Sequence, residues 1–319
     1  KPITRMAMLG AGFMGAGIAE VTAVKNIPVI LKDLKDEYVA NGKKTIWDNL
    51  YKKVKRKSMS RTEADSVIGR VWGQTDYTGF QHCDIIIEAV LEDVKVKQNV
   101  LAECEAVTKD TCIFASNTSS LPITQIAKNA KRPENVIGMH YFSPVPKMPL
   151  LEIIVTDKTA DWVTATALEL GIKQGKTCIV VKDGPGFLVN RLLMPYLNEA
   201  CYVLGDGASV EFIDKALLKF GMPMGPLHLI DEVGLDTSAK VAKVLGHEFG
   251  VRAEACPLMG KVVDAKKLGR KNNSGFYIYD SAGKKEVDQK IYEILGLSNP
   301  KNPFTEQEIV YRVLFPMIN

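Results

Sequence analysis

An α/β fold, a doubly wound and mostly parallel sheet followed by an all-α helical domain, is predicted by three features of the sequence. Short β-branched runs alternate with stretches of helical period through the first half. A glycine-rich turn stands between the first such run and the first helix. After the loop-forming DGPGF at 183–187 the strand-like runs give way to helical periodicity. A chain of 319 residues has room for two domains.

The strands are expected in RMAMLG (5–10), PVILKD (28–33), CDIIIEAV (83–90), CIFASNT (112–118), VIGMHYF (136–142), LLEIIVT (150–156) and TCIVVKD (177–183). Their apolar runs are near-continuous rather than alternating, which marks parallel strands covered on both faces. The basic helical stretch 37–57 reads as an excursion from the sheet. Beyond it, VNRLLMPYLNEACYVL, VEFIDKALLKF and LIDEVGLDTSAKVAKVLGHEF are helical, and FYIYD (276–280) is a lone short strand. The domains are therefore set at 1–183 for the nucleotide-type unit and 184–296 for the helical unit. Residues 297–319 are read as a linker and the first helix of a truncated second copy. That last reading rests on an internal echo: RLLMPYLN, Arg191 to Asn198, matches RVLFPMIN, Arg312 to Asn319, in residue type at every position but Tyr196/Met317. The proline shared inside each helix favours duplication over chance similarity of two amphipathic helices.

Composition excludes several classes. Hydrophobic and charged contents of 46% and 24% are ordinary for a globular protein, and a net charge of +4 does not argue for nucleic acid. No apolar run approaches the roughly 20 residues of a membrane span. The six cysteines show no CxxC pair and no metal-ligand spacing, so no metal site is expected. Buried free thiols in a reducing compartment are the expectation. The chain starts at Lys1 without a targeting segment and stops inside a helical pattern, as expected of a piece of a longer polypeptide.

MLGAGFMGAGIAEV sets Gly10, Gly12 and Gly15 in the spacing G-x-G-x-x-G, after a strand and at the opening of a helix. Alone the motif is weak. Here Asp33 closes the second strand at the distance of a Rossmann dinucleotide fold. The first glycine makes the turn, the second admits a pyrophosphate and the third lets helix and strand pack. A carboxylate at Asp33 accepts ribose hydroxyls and repels a 2′-phosphate, favouring NAD over NADP, although Lys32 and Lys35 stand close by.

His140 and Glu152 are out of place in two apolar runs. An alcohol dehydrogenase needs a base for the hydroxyl proton, and a carboxylate on the other ring nitrogen would fix its tautomer. Adjacent parallel strands ending side by side would bring the two together. A satisfied core histidine beside a rim glutamate is the plain alternative.

The stretches GAGFMGAGIA, IIEAVLEDVKVK, FASNTSSLPI, GMHYFSPVPKMPLLEII and DGPGFLVNRLL occur in the order of the L-3-hydroxyacyl-CoA dehydrogenase family. The chain resembles that family over about residues 4–280. Within it, the chain is similar to the dehydrogenase part of multifunctional fatty-acid oxidation α subunits, mitochondrial or bacterial. The resemblance implies NAD-dependent oxidation of L-3-hydroxyacyl-CoA to 3-ketoacyl-CoA. It carries the catalytic roles to His140, Glu152, Ser119 and Asn190, with Ser119 and Asn190 polarising the substrate oxygens.

It also implies cofactor contacts at Glu92, Lys97, Ser119 and Lys271, and at Ser143, where most relatives have asparagine. The acyl-CoA phosphate needs cations, and Lys44 and Lys53 are chosen from the run that also holds Lys43, Lys52, Lys55, Arg56 and Lys57. As a bare charge run this would be a solvated face or a nucleic-acid patch. A mitochondrial location, with the bacterial cytoplasm as the alternative, a thiolase β-subunit partner and a homodimer through the helical unit are further expectations. A small-substrate 3-hydroxyacid dehydrogenase would use a lysine instead, and a NAD-binding protein without activity would not need the full set of four.

Overall fold

Why most strand runs are near-continuously apolar is visible in the first strand. Met6 and Met8 face one apolar cluster, while Ala7 and Leu9 face another on the opposite side of the sheet. Ile85 and Ile87 against Ile86, and Ile113 and Ala115 against Phe114, repeat the division. Both faces are covered, so neither register position needs a polar residue. The computed structural model describes residues 2–297 and 300–318, the side chains at 244, 247, 251 and 252 excepted.

The chain divides into two compact units, Lys1–Phe187 and Leu188–Asn319. The first runs β1 (Met6–Leu9), α1 (Phe13–Ala23), β2 (Val29–Lys32), α2 (Asp36–Lys55), α3 (Arg61–Gly69), β3 (Val71–Gln74) and β4 (Ile85–Glu88). It continues with α4 (Val94–Val107), β5 (Ile113–Ser116), α5 (Ile123–Ile126), β6 (Val136–Tyr141), β7 (Leu150–Val155), α6 (Asp161–Lys173) and β8 (Thr177–Lys182). The eight strands lie in the order β3-β2-β1-β4-β5-β6-β7-β8. Pairing is parallel from β3 through to β6.

Three expectations change here. First, β6 and β7 are antiparallel, with His140 directly opposite Glu152. The connection at 142–149 is too short for the crossover of about a dozen residues that parallel neighbours need. Second, β3 was not foreseen: only Val71 of VWGQ is buried, because this strand forms the sheet edge. Third, α2 is no excursion. Val39, Gly42, Ile46 and Leu50 form one buried face of it, and a Cβ on Gly42 would lie 2.6 Å from the carbonyl oxygen of Ala11. The helix therefore lies directly against the glycine-rich turn. Its Lys53 reaches the buried Glu20 at 2.9 Å, and Asn49 donates to the same carboxylate.

The second unit contains α7 (Val189–Gly205), α8 (Val210–Phe220), α9 (Pro226–Val233), α10 (Leu235–Phe249) and α11 (Pro257–Asp264). A hairpin of β9 (Tyr277–Tyr279) and β10 (Lys285–Val287) follows, then α12 (Lys290–Leu295) and α13 (Glu306–Ile318). Two buried aspartates fasten the hairpin to the helices. Asp214 accepts from the N–H groups of Leu227 and His228 and from the Tyr277 hydroxyl, and Asp231 accepts from the N–H groups of Phe276 and Tyr277 and from the Tyr279 hydroxyl. A Cβ on Gly275 would meet the Asp231 carboxylate at 2.0 Å, so glycine is required there. Helix α13 packs on α7 and α8, and Arg312 pairs with Glu199 at 2.6 Å and Asp206 at 2.8 Å. Both echo helices carry their proline internally, Pro195 and Pro316, while Asn319, the last residue of the echo, lies outside the described residues.

Asp84 locks the start of the sheet. Its carboxylate accepts from the N–H and hydroxyl of Thr4, from the N–H of Arg5, and from Lys109 at 2.6 Å. Burial pushes its pKa up, but Lys109, Thr4 and Arg5 outweigh it and hold the carboxyl at about 2. A depressed carboxylate stabilises the fold above its unfolded pKa and loses that contribution as pH falls through the folded value. Asp84→Asn should therefore cost about 2 kcal/mol at neutral pH. In urea titrations of both proteins, that gap should close between pH of about 4 and about 2; a gap independent of pH would show that the charge is not what matters.

Candidate active site

The carboxyl ends of the parallel strands gather the candidate residues of the first unit. At the end of β1, Gly10 takes φ +91, and a Cβ there would lie 2.5 Å from the carbonyl oxygen of Ala89. Gly15 packs so tightly that a Cβ would sit 1.8 Å from the Gly10 carbonyl oxygen. Gly12 differs, since a Cβ on it would touch nothing within 4 Å. Two glycines thus shape the turn, and the third leaves open space where α1 begins with no side-chain cap. That is the cradle a pyrophosphate requires.

Asp33 does more than the sequence suggested. Its Oδ2 accepts from the Ala11 N–H at 2.7 Å and its Oδ1 from the Leu34 N–H at 2.7 Å. The carboxylate therefore ties the glycine-rich turn to the end of β2. Each oxygen keeps a second acceptor position for a ribose hydroxyl. Lys32 has its ammonium over the Tyr77 ring at 4.4 Å, and Lys35 lies over Tyr38 at 5.6 Å.

His140 and Glu152 form the centre of the edge. Parity along β6 and β7 puts both on the sheet face that also carries Val136 and Ile154, and the register sets them opposite each other. His140 Nδ1 is 2.7 Å from Glu152 Oε2, with side-chain exposures of 7% and 0%. Phe142 and Phe187 flank the imidazole at ring distances of 4.4 and 5.8 Å. A carboxylate on Nδ1 leaves Nε2 as the nitrogen able to take a proton.

Ser119 follows β5 in a half-buried turn, where its N–H donates to Glu92 Oε1 at 3.1 Å. The Thr118 hydroxyl donates to the same oxygen at 2.5 Å. Asp183 holds the far side of this segment through the N–H groups of Ile123 and Thr124. Asn117, which the sequence did not single out, accepts from the Tyr141 N–H and so joins the turn to the His140 strand.

Lys97 is almost fully buried. Its ammonium lies 2.9 Å from Glu88 and 3.3 Å from Glu92. Glu88 was overlooked, although a glutamate ending the run IIIE was the available signal. Ser143 is exposed in the 142–149 connection, which Lys176 clamps by donating to the carbonyls of Val145 and Met148. The remaining candidates are placed within their own units. Lys44 is paired with Asp48 at 2.6 Å and Lys53 with Glu20. In the helical unit, Asn190 is half-buried at the start of α7, and Lys271 pairs with Asp236 at 2.6 Å and Thr237 at 2.9 Å. Among the described residues, no helix is long and apolar enough to cross a membrane.

Residues 5–184 match the NAD-binding domain of 3-hydroxyacyl-CoA dehydrogenase, and residues 186–279 match the C-terminal domain of the same enzyme. The chain belongs to the 3-hydroxyacyl-CoA dehydrogenase family. It is 49% identical to the fatty acid oxidation complex subunit alpha of Idiomarina loihiensis, over 99% of this chain and 45% of that protein. The corresponding Vibrio cholerae subunit is 45% identical over 100% of this chain and 45% of its own length. The chain thus spans about half the length of these curated relatives, both of them bacterial. The solved (S)-3-hydroxybutyryl-CoA dehydrogenase of Ralstonia eutropha superposes with a TM-score of 0.84 at 39% identity, over 88% of this chain and 100% of that one. The family's NAD-binding domain is therefore present, and the glycine cradle fits the cofactor it names.

The glycines give a paired test of that fit. Gly12→Ala should leave the melting temperature unchanged, because its Cβ meets nothing, yet weaken NADH binding by roughly tenfold or more by filling the cradle. Gly15→Ala should lose both stability and binding. Equal NADH affinity in Gly12→Ala and the parent, measured by fluorescence titration, would remove the pyrophosphate from this turn.

Proposed function

We propose that this chain oxidises L-3-hydroxyacyl-CoA to 3-ketoacyl-CoA with NAD, as the dehydrogenase part of a larger fatty-acid oxidation protein. The observation that carries the proposal is the buried 2.7 Å contact between His140 Nδ1 and Glu152 at the carboxyl edge of a dinucleotide-binding sheet. Bound NAD supplies the hydride acceptor. His140 takes the proton of the substrate hydroxyl on Nε2, and Glu152 offsets the positive charge that this places on the ring. Burial strengthens that offset, because little water competes for the carboxylate. Ser119 and Asn190 are assigned to the C3 oxygen and the thioester carbonyl, where donors would polarise both. Glu92, Lys97, Ser143 and Lys271 are assigned to the cofactor, with Asp33 selecting NAD.

For the acyl-CoA phosphate, Lys53 is committed to the buried Glu20, whereas the exposed pair of Lys44 with Asp48 is weak enough to exchange. Lys44 therefore stands beside Lys43, Lys52 and Lys57 as a candidate on α2 and the turn after it. The bacterial relatives favour the bacterial cytoplasm over the mitochondrion. A complex with a subunit alpha has at least one other kind of subunit, and a thiolase, which would consume the 3-ketoacyl-CoA, suits that place. The helical unit exposes Leu192, Leu218, Phe220, Tyr311 and Phe315, which supports self-association as a dimer through that unit.

The activity is tested by following NADH formation with L- and D-3-hydroxybutyryl-CoA and with free 3-hydroxybutyrate. Only the L-thioester should react, and turnover of the free acid alone would favour a small-substrate dehydrogenase. His140→Gln should lower kcat by roughly 10²–10⁴-fold. Its NADH affinity should stay within about twofold of the parent, and near-normal turnover would exclude His140 as the base. Asp33→Ser should weaken NAD and improve NADP binding, since a repulsive charge is removed. Sedimentation of the 35.1 kDa chain at micromolar concentration tests the dimer, and a clean monomer speaks against it.

A further inference from the structure

A fully buried carboxylate is unaccounted for by the proton transfer. Glu88 ends β4 at the carboxyl edge of the sheet, in the middle strands of the order, and is 0% exposed. Its two oxygens accept from Lys97 at 3.0 and 2.9 Å. It also accepts from the Val90 N–H at 3.0 Å and from the Ser116 hydroxyl. Two members of this cluster lead onward. The Ser116 hydroxyl accepts from the Thr118 N–H at 3.2 Å, and Lys97 lies 3.3 Å from Glu92. Glu92 in turn accepts from the Thr118 hydroxyl and the Ser119 N–H.

A buried ion pair of this kind is a poor way to gain stability. Desolvation opposes the attraction, and packed apolar side chains of equal volume often serve as well or better. A strand whose other residues are Ile85, Ile86 and Ile87 could readily have ended in one more apolar residue. The carboxylate instead fixes two things at once. It decides where the Lys97 ammonium stands, and through Ser116 it fixes the turn that carries Thr118 and Ser119. Without Glu88, Lys97 would have Glu92 as its nearest carboxylate and would draw it away from the Ser119 turn.

We propose that Glu88 is the positioning residue of the cofactor side of the site, holding Lys97 and the Ser116–Ser119 turn in the arrangement that receives NAD. The proposal rests on the NAD-binding reading above. Glu88 does not touch the reacting atoms; it acts through Lys97, Glu92 and Ser119.

The test uses NADH fluorescence titration without acyl-CoA, so that it stands apart from the choice of substrate. Glu88→Gln should raise the NADH dissociation constant and the KM for NAD by about tenfold or more. A loss of melting temperature should accompany it, because the variant leaves the Lys97 charge buried without its main partner. In the double variant Glu88→Gln with Lys97→Met the unpaired charge is gone, so the melting temperature should recover while NADH affinity does not.

Two results would overturn the proposal. One is NADH binding by Glu88→Gln within about twofold of the parent. The other is recovery of parental NADH affinity in the double variant, which would make the pair purely structural. Should Glu88→Gln fail to fold, Ser116→Ala decides: it spares the ion pair and should weaken NADH binding by about threefold. Unchanged affinity in Ser116→Ala would then count against the proposal. A parent that binds NADH but does not oxidise acyl-CoA would sink the proposed reaction and leave this result standing.

Discussion

The antiparallel pairing of β6 with β7 is the constraint on which the rest of the site depends. In a sheet that is otherwise parallel up to this point, the short connection at 142–149 turns the chain straight back. That reversal makes His140 and Glu152 cross-strand neighbours instead of residues whose distance depends on two separate crossovers. Side chains directly opposite on one face of an antiparallel pair are about 5 Å apart at Cβ, close enough for an imidazole and a carboxylate to bond. Neither residue needs a flexible loop to find the other. The hydrogen bond is set by register, and a one-residue slip would send one of the pair to the opposite face of the sheet.

The sheet also explains why so many titratable groups tolerate burial at one edge. Glu88, Lys97, His140 and Glu152 all lie where the central strands end, and each makes a hydrogen bond or ion pair with another polar group of the same edge. Charges removed from water are stable only when paired and hydrogen-bonded. Glycines permit that density of contacts. Gly138, on the same face as His140, leaves room for Ile123 and Ile154, whose atoms would lie within 3.0 Å of any Cβ placed there. This packing brings α5 against β6 and with it the Ser119 turn that precedes α5.

Much of this was legible from the residues. The alternation of strand and helix and the glycine cradle follow from period and spacing. Titratable groups in apolar runs raised the pairing of His140 with Glu152, and only the family resemblance chose it over a plain core histidine. Strand direction was not legible, because an apolar run reads alike in parallel and antiparallel company; only the shortness of 142–149 carried the information. β3 escaped because an edge strand buries too little to show a pattern. Glu88 escaped for the opposite reason: it stood in so convincing a strand that its charge read as the end of the run. Partners such as Ser116 and Lys97 are brought to it by the fold, and spacing along the chain does not announce them.

Helix α2 shows how a fold divides a run of charge. Its apolar face closes over the glycine-rich turn, and Lys53 and Asn49 satisfy Glu20, a carboxylate of α1 that is 1% exposed. A charge run read from sequence alone is a uniform surface of interchangeable cations. In the fold it is divided. Lys53 neutralises a buried group whose loss would be costly, Lys44 is held by Asp48, and Lys55 lies over the Tyr51 ring at 5.1 Å. An exposed pair such as Lys44 with Asp48 is weak enough to exchange its partner for a phosphate, whereas Lys53 cannot leave Glu20 without stranding it. The position of each cation relative to the buried carboxylates, and not the number of cations, therefore determines which of them are committed within the fold.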